Sequence, residues 1–255
     1  MIRENKIRNG LKEGKTYIGT FAKITDPCVI ELFSMIGFDF FIVDNEHTQM
    51  SKESMVNLVR TSDISGIVPV VRVRENSRAQ ILQALDGGAL GVMVPETSTR
   101  EEVQRVVDNA KYAPLGCRGY TPSSRAAGYG FANAADYAVE ANDSNMVIVY
   151  CETAQALENL DLMLQVEGID VMFIGPMDLS QALGVTGQPK HPIVVAAIKE
   201  IVAKSKAAGV AVGTIAANAQ EVRDLLDMGM QFIALSSDQA MIKYAGLMFM
   251  KELGR

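Results

Sequence analysis

Short apolar segments alternate with helical patterns along the whole chain. Eight of these segments have the length and near-continuous apolar character of strands that are buried on both faces. They cover residues 17–21, 40–44, 68–73, 91–95, 146–151, 171–174, 210–214 and 232–235. Eight β/α units in 255 residues are typical of a TIM barrel, whereas a doubly wound sheet usually has a glycine-rich pattern after its first strand. The pattern therefore predicts an α/β fold, a (β/α)8 TIM barrel, as a single domain over residues 1–255.

Two helical patterns carry boundary signals. The first has Asp26 as its predicted N-cap and Gly37 just beyond its end. The second begins at Thr99, which is placed to form a capping box with Glu102. One connection, residues 112–145, is much longer than the others and contains aromatic residues, arginines and glycines. Because long loops in compact domains are usually functional or disordered, we interpret it as an ordered active-site loop.

Composition and charge narrow the class of protein. The formal net charge is −6 without a basic cluster, which argues against a nucleic-acid partner. No apolar run of 18 residues or more occurs, so the sequence predicts no membrane span. The first 15 residues lack the apolar centre of a signal peptide. Three widely spaced cysteines suit reduced thiols, so we expect a cytoplasmic protein.

Charged residues collect where the predicted strands end, which is where TIM barrels carry their active sites. They are Asp44, Glu46 and His47 after the second strand, Arg72 at the third, Glu152 after the fifth and Asp178 after the sixth. Two carboxylates without a cysteine–histidine cluster favour a hard divalent cation such as Mg²⁺ or Mn²⁺. An arginine can stabilise an enolate, and a histidine can move the proton. The residue types thus predict metal-assisted chemistry next to a carbonyl group, without naming a substrate.

Each of these residues also has a structural interpretation. Arg72 can pair with Asp44 or Glu46 for stability alone. Glu152 can be an acid in the first turn of a helix, and Asp178 can be a helix N-cap. These alternatives stay open for each residue, but the convergence of all of them at one rim favours function. No lysine falls near the predicted strand ends, which disfavours a Schiff-base mechanism.

Six segments resemble the HpcH/HpaI family of metal-dependent class II pyruvate aldolases, which includes 4-hydroxy-2-oxoheptanedioate and 2-dehydro-3-deoxyglucarate aldolases. The segments are GFDFFIVDNEHTQMS, PVVRV, ALDGGALGVMVPET, GCRGYTPSSRAAGYG, CETAQALENLD and GIDVMFIGPMDLSQALG. They occur in the order and spacing of the family and span nearly the whole chain. The resemblance implies reversible retro-aldol cleavage of a 4-hydroxy-2-oxo acid to pyruvate and an aldehyde, through an enolate held on the metal.

The same resemblance implies the residues that bind metal and substrate. Glu152 and Asp178 would hold Mg²⁺, Mn²⁺ or Co²⁺, with water and substrate completing the ligand shell. Met177 and Asp178 would contact the pyruvate part, and Arg125 is a further candidate for substrate binding. Tyr150 stands where related aldolases usually have a glutamine that contacts the substrate. This departure keeps an alternative open, a condensing synthase that joins an enolate to an oxo acid or an acyl thioester, as citrate synthases of the family do.

Catalytic roles and assembly are implied in the same way. Arg72 would stabilise the enolate, His47 would be the acid/base, and Asp86 would raise the basicity of that histidine from a neighbouring subunit. Asp44 would hold the catalytic groups in place. Family members are generally hexamers, trimers of dimers that exchange a C-terminal helix, here residues 239–252. A barrel that binds a ligand without catalysing a reaction is disfavoured. All four side chains that the reaction would need are present, namely His47, Arg72, Glu152 and Asp178.

Overall fold

The fold is a closed barrel of eight parallel strands in a computed structural model that describes residues 4–255. Each strand pairs with the next along the chain, and β8 pairs with β1. The strands are β1 Tyr17–Ala22, β2 Phe40–Asp44, β3 Val68–Arg72, β4 Gly91–Val94, β5 Met146–Tyr150, β6 Val171–Ile174, β7 Ala211–Ala216 and β8 Phe232–Ser237. The predicted single-domain TIM barrel is confirmed. Its predicted bounds stay a prediction, since residues 1–3 lie outside the described residues.

Eleven α-helices are found in the described part of the chain, most of them between consecutive strands. They are α1 Lys6–Lys12, α2 Cys28–Ile36, α3 Lys52–Ser65, α4 Arg78–Asp86, α5 Arg100–Ala110, α6 Ala134–Ser144, α7 Ala154–Met163, α8 Pro176–Ala182, α9 Pro192–Ala207, α10 Ala219–Asp227 and α11 Asp238–Glu252. The capping box of Thr99 and Glu102 is confirmed. Asp26 accepts a hydrogen bond from the backbone N–H of Cys28 (3.0 Å) at the start of α2, and Gly37 ends this helix with a φ of 100°.

Large side chains fill the interior of the barrel. The rings of Phe40 and Phe232 stack at 3.9 Å between centroids, and Phe173 lies edge-on to Phe232 at 6.4 Å. Alternate residues, such as Val43 and Val71, point outward and pack against the helices. Because the interior is filled, a ligand has room only at the mouth of the barrel.

The long connection, residues 112–145, is ordered. It lies at the amino-terminal end of the barrel and does not reach the carboxyl-terminal ends of the strands in its own chain. It contains a 3₁₀ turn at Gly128–Gly130 and helix α6, and the Ala126 N–H bonds the carbonyl of Asp86 at the end of α4 (3.1 Å). The connection joins the end of α5 to the start of β5, and both lie at the amino-terminal end of the barrel. Within one chain the connection therefore lies away from the carboxyl-terminal mouth of the barrel, and its role as an active-site loop stays a prediction.

The C-terminal helix α11 buries little of its apolar surface. Asp238 is its buried residue, while Tyr244, Leu247 and Phe249 are exposed, as are Met35 and Ile36 on α2. Such a concentration of exposed apolar side chains is typical of a surface that another chain covers. Among residues 4–255, no helix is long and apolar enough to cross a membrane.

Candidate active site

The carboxyl ends of β2 and β3 bring Asp44 and Arg72 into a two-point ion pair. The two residues are register partners. Arg72 Nε donates to Asp44 Oδ1 (3.1 Å), and Nη2 lies 2.8 Å from Oδ2. The backbone N–H groups of Glu46 and His47 also donate to Asp44 Oδ1, each at 3.1 Å. Burial alone would raise the pKa of Asp44, but the Arg72 guanidinium and these hydrogen bonds outweigh it and lower the pKa.

The third nitrogen of the guanidinium contacts two further side chains. Arg72 Nη1 lies 2.8 Å from Glu46 Oε2 and donates to the hydroxyl of Tyr150 (3.4 Å). The guanidinium also lies over the ring of Phe21, 4.9 Å from its centroid. Burial raises the pKa of Glu46, although Arg72 and His47 oppose the rise. The sequence placed Glu46 at this rim and offered it as a structural partner of Arg72, a pairing that is confirmed, but assigned it no catalytic role.

Glu152 and Asp178 lie further round the same rim, after the carboxyl ends of β5 and β6. Glu152 follows β5 and is 5% exposed, and its Oε1 accepts the backbone N–H of Glu96 (3.0 Å). Burial raises the pKa of Glu152 to about 8, against the Glu96 hydrogen bond, and the nearby charges of Asp178 and Glu46 raise it further. Asp178 lies in the first turn of α8 and is exposed, as is Met177 beside it. Gly175 leaves room for Glu152, because a Cβ there would come within 2.2 Å of Oε2.

These two carboxylates suit a hard divalent cation. Glu152 is buried and lies near the charges of Asp178 and Glu46, which add to the effect of burial on its pKa, and oxygen ligands are those that Mg²⁺ and Mn²⁺ prefer. Within residues 4–255, no group of three or more His, Cys, Asp or Glu side chains is arranged to hold a metal. A metal at Glu152 and Asp178 would therefore take its remaining ligands from water and substrate.

Tyr150 lies inside the barrel, beneath Arg72. It is 2% exposed, and its hydroxyl is 3.3 Å from the sulfur of Met93. Burial raises the pKa of Tyr150, so the phenol stays neutral. Thr97 holds the backbone here, since its hydroxyl donates to the Tyr150 carbonyl (2.7 Å) and accepts from the Tyr150 N–H (3.1 Å). Tyr150 thus contacts Arg72 from below, with little access to the open mouth.

Asp86 and Arg125 are not brought to this rim within one chain. Asp86 ends α4, and its Oδ1 is 2.6 Å from Nη2 of the buried Arg118. Arg125 pairs with Asp63 and donates to the carbonyl of Gly87 (2.9 Å). All these groups lie at the amino-terminal end of the barrel, because α4 returns there before β4 begins.

A lysine that the sequence reasoning did not place lies at the rim. Lys23 follows β1, and its Nζ is 3.2 Å from Asp44 Oδ2. The expectation that no lysine falls near the strand ends is therefore wrong. The predicted first strand stopped at residue 21, whereas β1 continues to Ala22 and places Lys23 directly at the mouth. The signal in the sequence was a charged residue directly after an apolar strand.

Comparison with known proteins gives the family. The sequence model of the HpcH/HpaI aldolase/citrate lyase family matches residues 17–244. A 2-keto-3-deoxy-L-rhamnonate aldolase of Salmonella gallinarum is 36% identical over 238 residues, which are 93% of this chain and 88% of the relative. An HpcH/HpaI aldolase structure from Desulfitobacterium hafniense superposes with a TM-score of 0.92 at 30% identity, covering 97% of this chain and 96% of the other. The citrate synthase SbnG superposes with a TM-score of 0.87 at 29% identity, covering 97% and 98%. The chain belongs to the HpcH/HpaI aldolase family, as its motifs indicated.

Proposed function

We propose that the rim cluster catalyses reversible retro-aldol cleavage of a 4-hydroxy-2-oxo acid to pyruvate and an aldehyde. The chain is a carbon–carbon lyase of the aldolase type, and this part of the prediction is confirmed by its relatives. The observation that carries the residue assignment is the placement of Arg72 at the same barrel mouth as the two carboxylates Glu152 and Asp178. An oxo acid held through a divalent metal at those carboxylates would develop its enolate charge at the mouth where Arg72 lies.

A divalent metal held by Glu152 and Asp178 would supply Lewis-acid polarisation of the 2-oxo group. Arg72 would donate hydrogen bonds to the developing enolate oxygen, and Asp44 fixes its orientation through two contacts. His47 is 59% exposed, with its Nε2 3.7 Å from Glu46 Oε2, so its ring can exchange protons with the aldehyde oxygen. In this proposal Glu152 and Asp178 bind the metal, Arg72 and Asp44 stabilise and orient, and His47 moves the proton.

We propose that the complete site needs a second chain. His47 is exposed at one end of the barrel, and the only carboxylate that the family resemblance pairs with it, Asp86, lies at the other end. The exposed apolar side chains of α11 support a homo-oligomer in which this helix docks on a partner. The hexamer that the family resemblance implies, a trimer of dimers, would have interfaces for both features. Free thiols at Cys28, Cys117 and Cys151 support a cytoplasmic location.

An aldehyde screen tests the proposed reaction. The metal-stripped protein is incubated with pyruvate, a panel of aldehydes and Mg²⁺, Mn²⁺ or Co²⁺, and the hydroxy-oxo acid product is measured by mass. We expect product only with added metal, and loss of product in Glu152→Gln. A parallel assay offers acetyl thioester with oxaloacetate and measures free thiol. Thiol release without any aldol product would favour the synthase alternative, since the citrate synthase SbnG has the same fold.

A further inference from the structure

Asp86 has an unusual electrostatic position at the end of α4. It is the last residue of this helix, where the backbone dipoles already place negative charge, so a carboxylate there is unfavourable without a cation. The cation is Arg118, whose Nη2 lies 2.6 Å from Asp86 Oδ1. Among residues 4–255, the structure shows no hydrogen bond to Asp86 Oδ2, and the side chain is partly exposed. One carboxylate oxygen is therefore held, and the other is open to a partner outside the chain.

Arg118 is buried in a way that stability alone does not explain. Its side chain is fully buried, and its guanidinium lies over the ring of Tyr112, 4.6 Å from the centroid. Nε and Nη1 are buried without a hydrogen-bond partner in the described part of the chain. Burying N–H donors without partners costs free energy, so each such group in a folded protein needs an explanation. The contact that this guanidinium does make, with Asp86, is the natural explanation.

The backbone of Arg118 is anchored at the end of α5. Its N–H donates to the carbonyl of Lys111 (2.9 Å), and Lys111 is itself buried, with its Nζ donating to the carbonyl of Asn142 in α6 (2.7 Å). Gly116 allows the chain to turn back this closely, because a Cβ there would lie 2.5 Å from the Lys111 carbonyl oxygen. An arginine on an anchored backbone has few alternative positions, so it holds Asp86 with little further loss of conformational entropy.

The end of α4 is held by the same connection. The N–H of Ala126 donates to the carbonyl of Asp86 (3.1 Å), and Arg125 Nη1 donates to the carbonyl of Gly87 (2.9 Å). The backbone of Asp86 and one of its carboxylate oxygens are thus both fixed by residues 118–126. Such precision matters for a group that takes part in a reaction, since a displacement of about 1 Å can reduce the rate about a hundredfold.

The proposed reaction gives this orientation a use. His47 is exposed, and in the proposed oligomer its carboxylate partner is Asp86 of a neighbouring chain. A carboxylate that accepts the second ring N–H of a histidine sets the tautomer and the orientation of the ring. It can do so only if the carboxylate itself has one orientation. Arg118 holds Asp86 from inside its own chain and leaves Oδ2 for the histidine.

We propose that Arg118 is a positioning residue that acts through Asp86. It fixes one carboxylate oxygen, so that the other faces His47 of a neighbouring subunit. The inference rests on the proposed aldol reaction in a homo-oligomer, and it gives a role to a buried arginine that has no contact with the mouth of its own barrel. Arg118 does not contact the substrate, and its effect on the rate passes through Asp86.

A double-variant cycle tests whether Arg118 acts through Asp86. Aldol addition of pyruvate is measured with an aldehyde that the wild-type protein accepts. Arg118→Met should lower kcat by about one to two powers of ten and leave KM for pyruvate within about twofold, because Asp86 is misplaced while pyruvate binds elsewhere. Arg118→Lys, which keeps a cationic donor, should recover part of kcat. Adding Arg118→Met to Asp86→Asn should cause no further loss. The control Arg105→Met, on the exposed side of α5, should change neither constant.

Mixed oligomers test whether Arg118 and Asp86 belong to the same half of the site. Arg118→Met reassembled with His47→Ala should recover activity, because a site can then draw an intact His47 from one chain and an intact pair of Arg118 and Asp86 from the other. Arg118→Met reassembled with Asp86→Asn should stay at the average of the two, because every chain then carries a defective pair. Subunit exchange is verified by mass.

Several results would overturn the role of Arg118. They are a wild-type kcat in folded Arg118→Met, a loss that multiplies with that of Asp86→Asn, and recovery when these two variants are mixed. Circular dichroism checks folding, and Arg118→Gln is a second neutral variant. If neither neutral variant folds, Arg118 serves the fold and the inference is overturned. If the wild-type protein forms no aldol product with any aldehyde and does not exchange the pyruvate methyl protons, the proposed reaction itself fails, which is a different result.

Discussion

His47 and Asp86 lie at opposite ends of the same barrel. His47 comes three residues after β2 ends, whereas Asp86 is the last residue of α4, which returns to the amino-terminal end before β4 begins. A strand of five residues spans about 17 Å, so these two side chains cannot meet within one chain. If they act together, the contact must join two subunits.

Mixing two inactive variants tests this arrangement. His47→Ala and Asp86→Asn should each lose most aldol activity as pure proteins. In oligomers reassembled from equal amounts, a site that draws wild-type His47 from one chain and wild-type Asp86 from another should recover, which random pairing gives at about one quarter of the sites. Subunit exchange is verified by mass. Confirmed exchange without any recovery would show that no site depends on this pair across subunits.

Arg72 should serve the reaction more than the fold. Arg72→Ala should reduce exchange of the pyruvate methyl protons by about two to three powers of ten, since a donor to developing charge is lost. Arg72→Lys should recover only part of the rate, because a lysine cannot reproduce the two-point contact with Asp44. Circular dichroism checks that both variants are folded. Wild-type exchange in folded Arg72→Ala would exclude the assigned role.

Tyr150 should influence the reaction through Arg72. Its hydroxyl accepts from Nη1 and lies in the barrel interior, so Tyr150→Phe should change kcat more than KM for pyruvate. Tyr150→Gln introduces the residue that the family resemblance implies at this position, and we expect higher retro-aldol activity or a changed aldehyde preference. The measurement is a set of steady-state constants across an aldehyde panel. Unchanged constants in both variants would mean that the side chain only fills the interior.

The barrel could be predicted from the sequence because strands and helix ends are encoded by short segments of the chain. Apolar strands and helix caps such as Thr99 depend on neighbours along the chain, and all eight strands were found near their predicted positions. The functional role of the long connection stays a prediction, because its ends, fixed by α5 and β5, both lie at the amino-terminal end and a contact with another chain is not encoded in a local pattern. Lys23 was missed because the predicted first strand stopped at residue 21, whereas β1 continues to Ala22, and its contact with Asp44 is a tertiary one.

Glu152 should make the stability of the metal-free protein depend on pH. Its pKa in the folded protein is about 8, raised mainly by burial, so the folded protein holds a proton that the unfolded chain releases above its ordinary pKa. The metal-free protein should therefore lose stability as the pH rises toward about 8. Since a metal needs the carboxylate, the rise in Tm on adding Mn²⁺ should be larger at about pH 8.5 than at about pH 6. Glu152→Gln is the control, and it should abolish most of this difference. An equal rise in both proteins would place the metal elsewhere.

Exchange of the pyruvate methyl protons with deuterium oxide tests the central claim most directly, because it isolates enolate formation from the choice of aldehyde. The protein is stripped with a chelator and assayed by NMR before and after addition of Mg²⁺, Mn²⁺ or Co²⁺, and a borohydride trap checks for a pyruvate adduct on Lys23. We predict exchange that stops on chelation, returns with metal and leaves no trapped adduct. Full exchange in the metal-free protein, together with a trapped lysine adduct, would contradict a metal-dependent mechanism at Glu152 and Asp178.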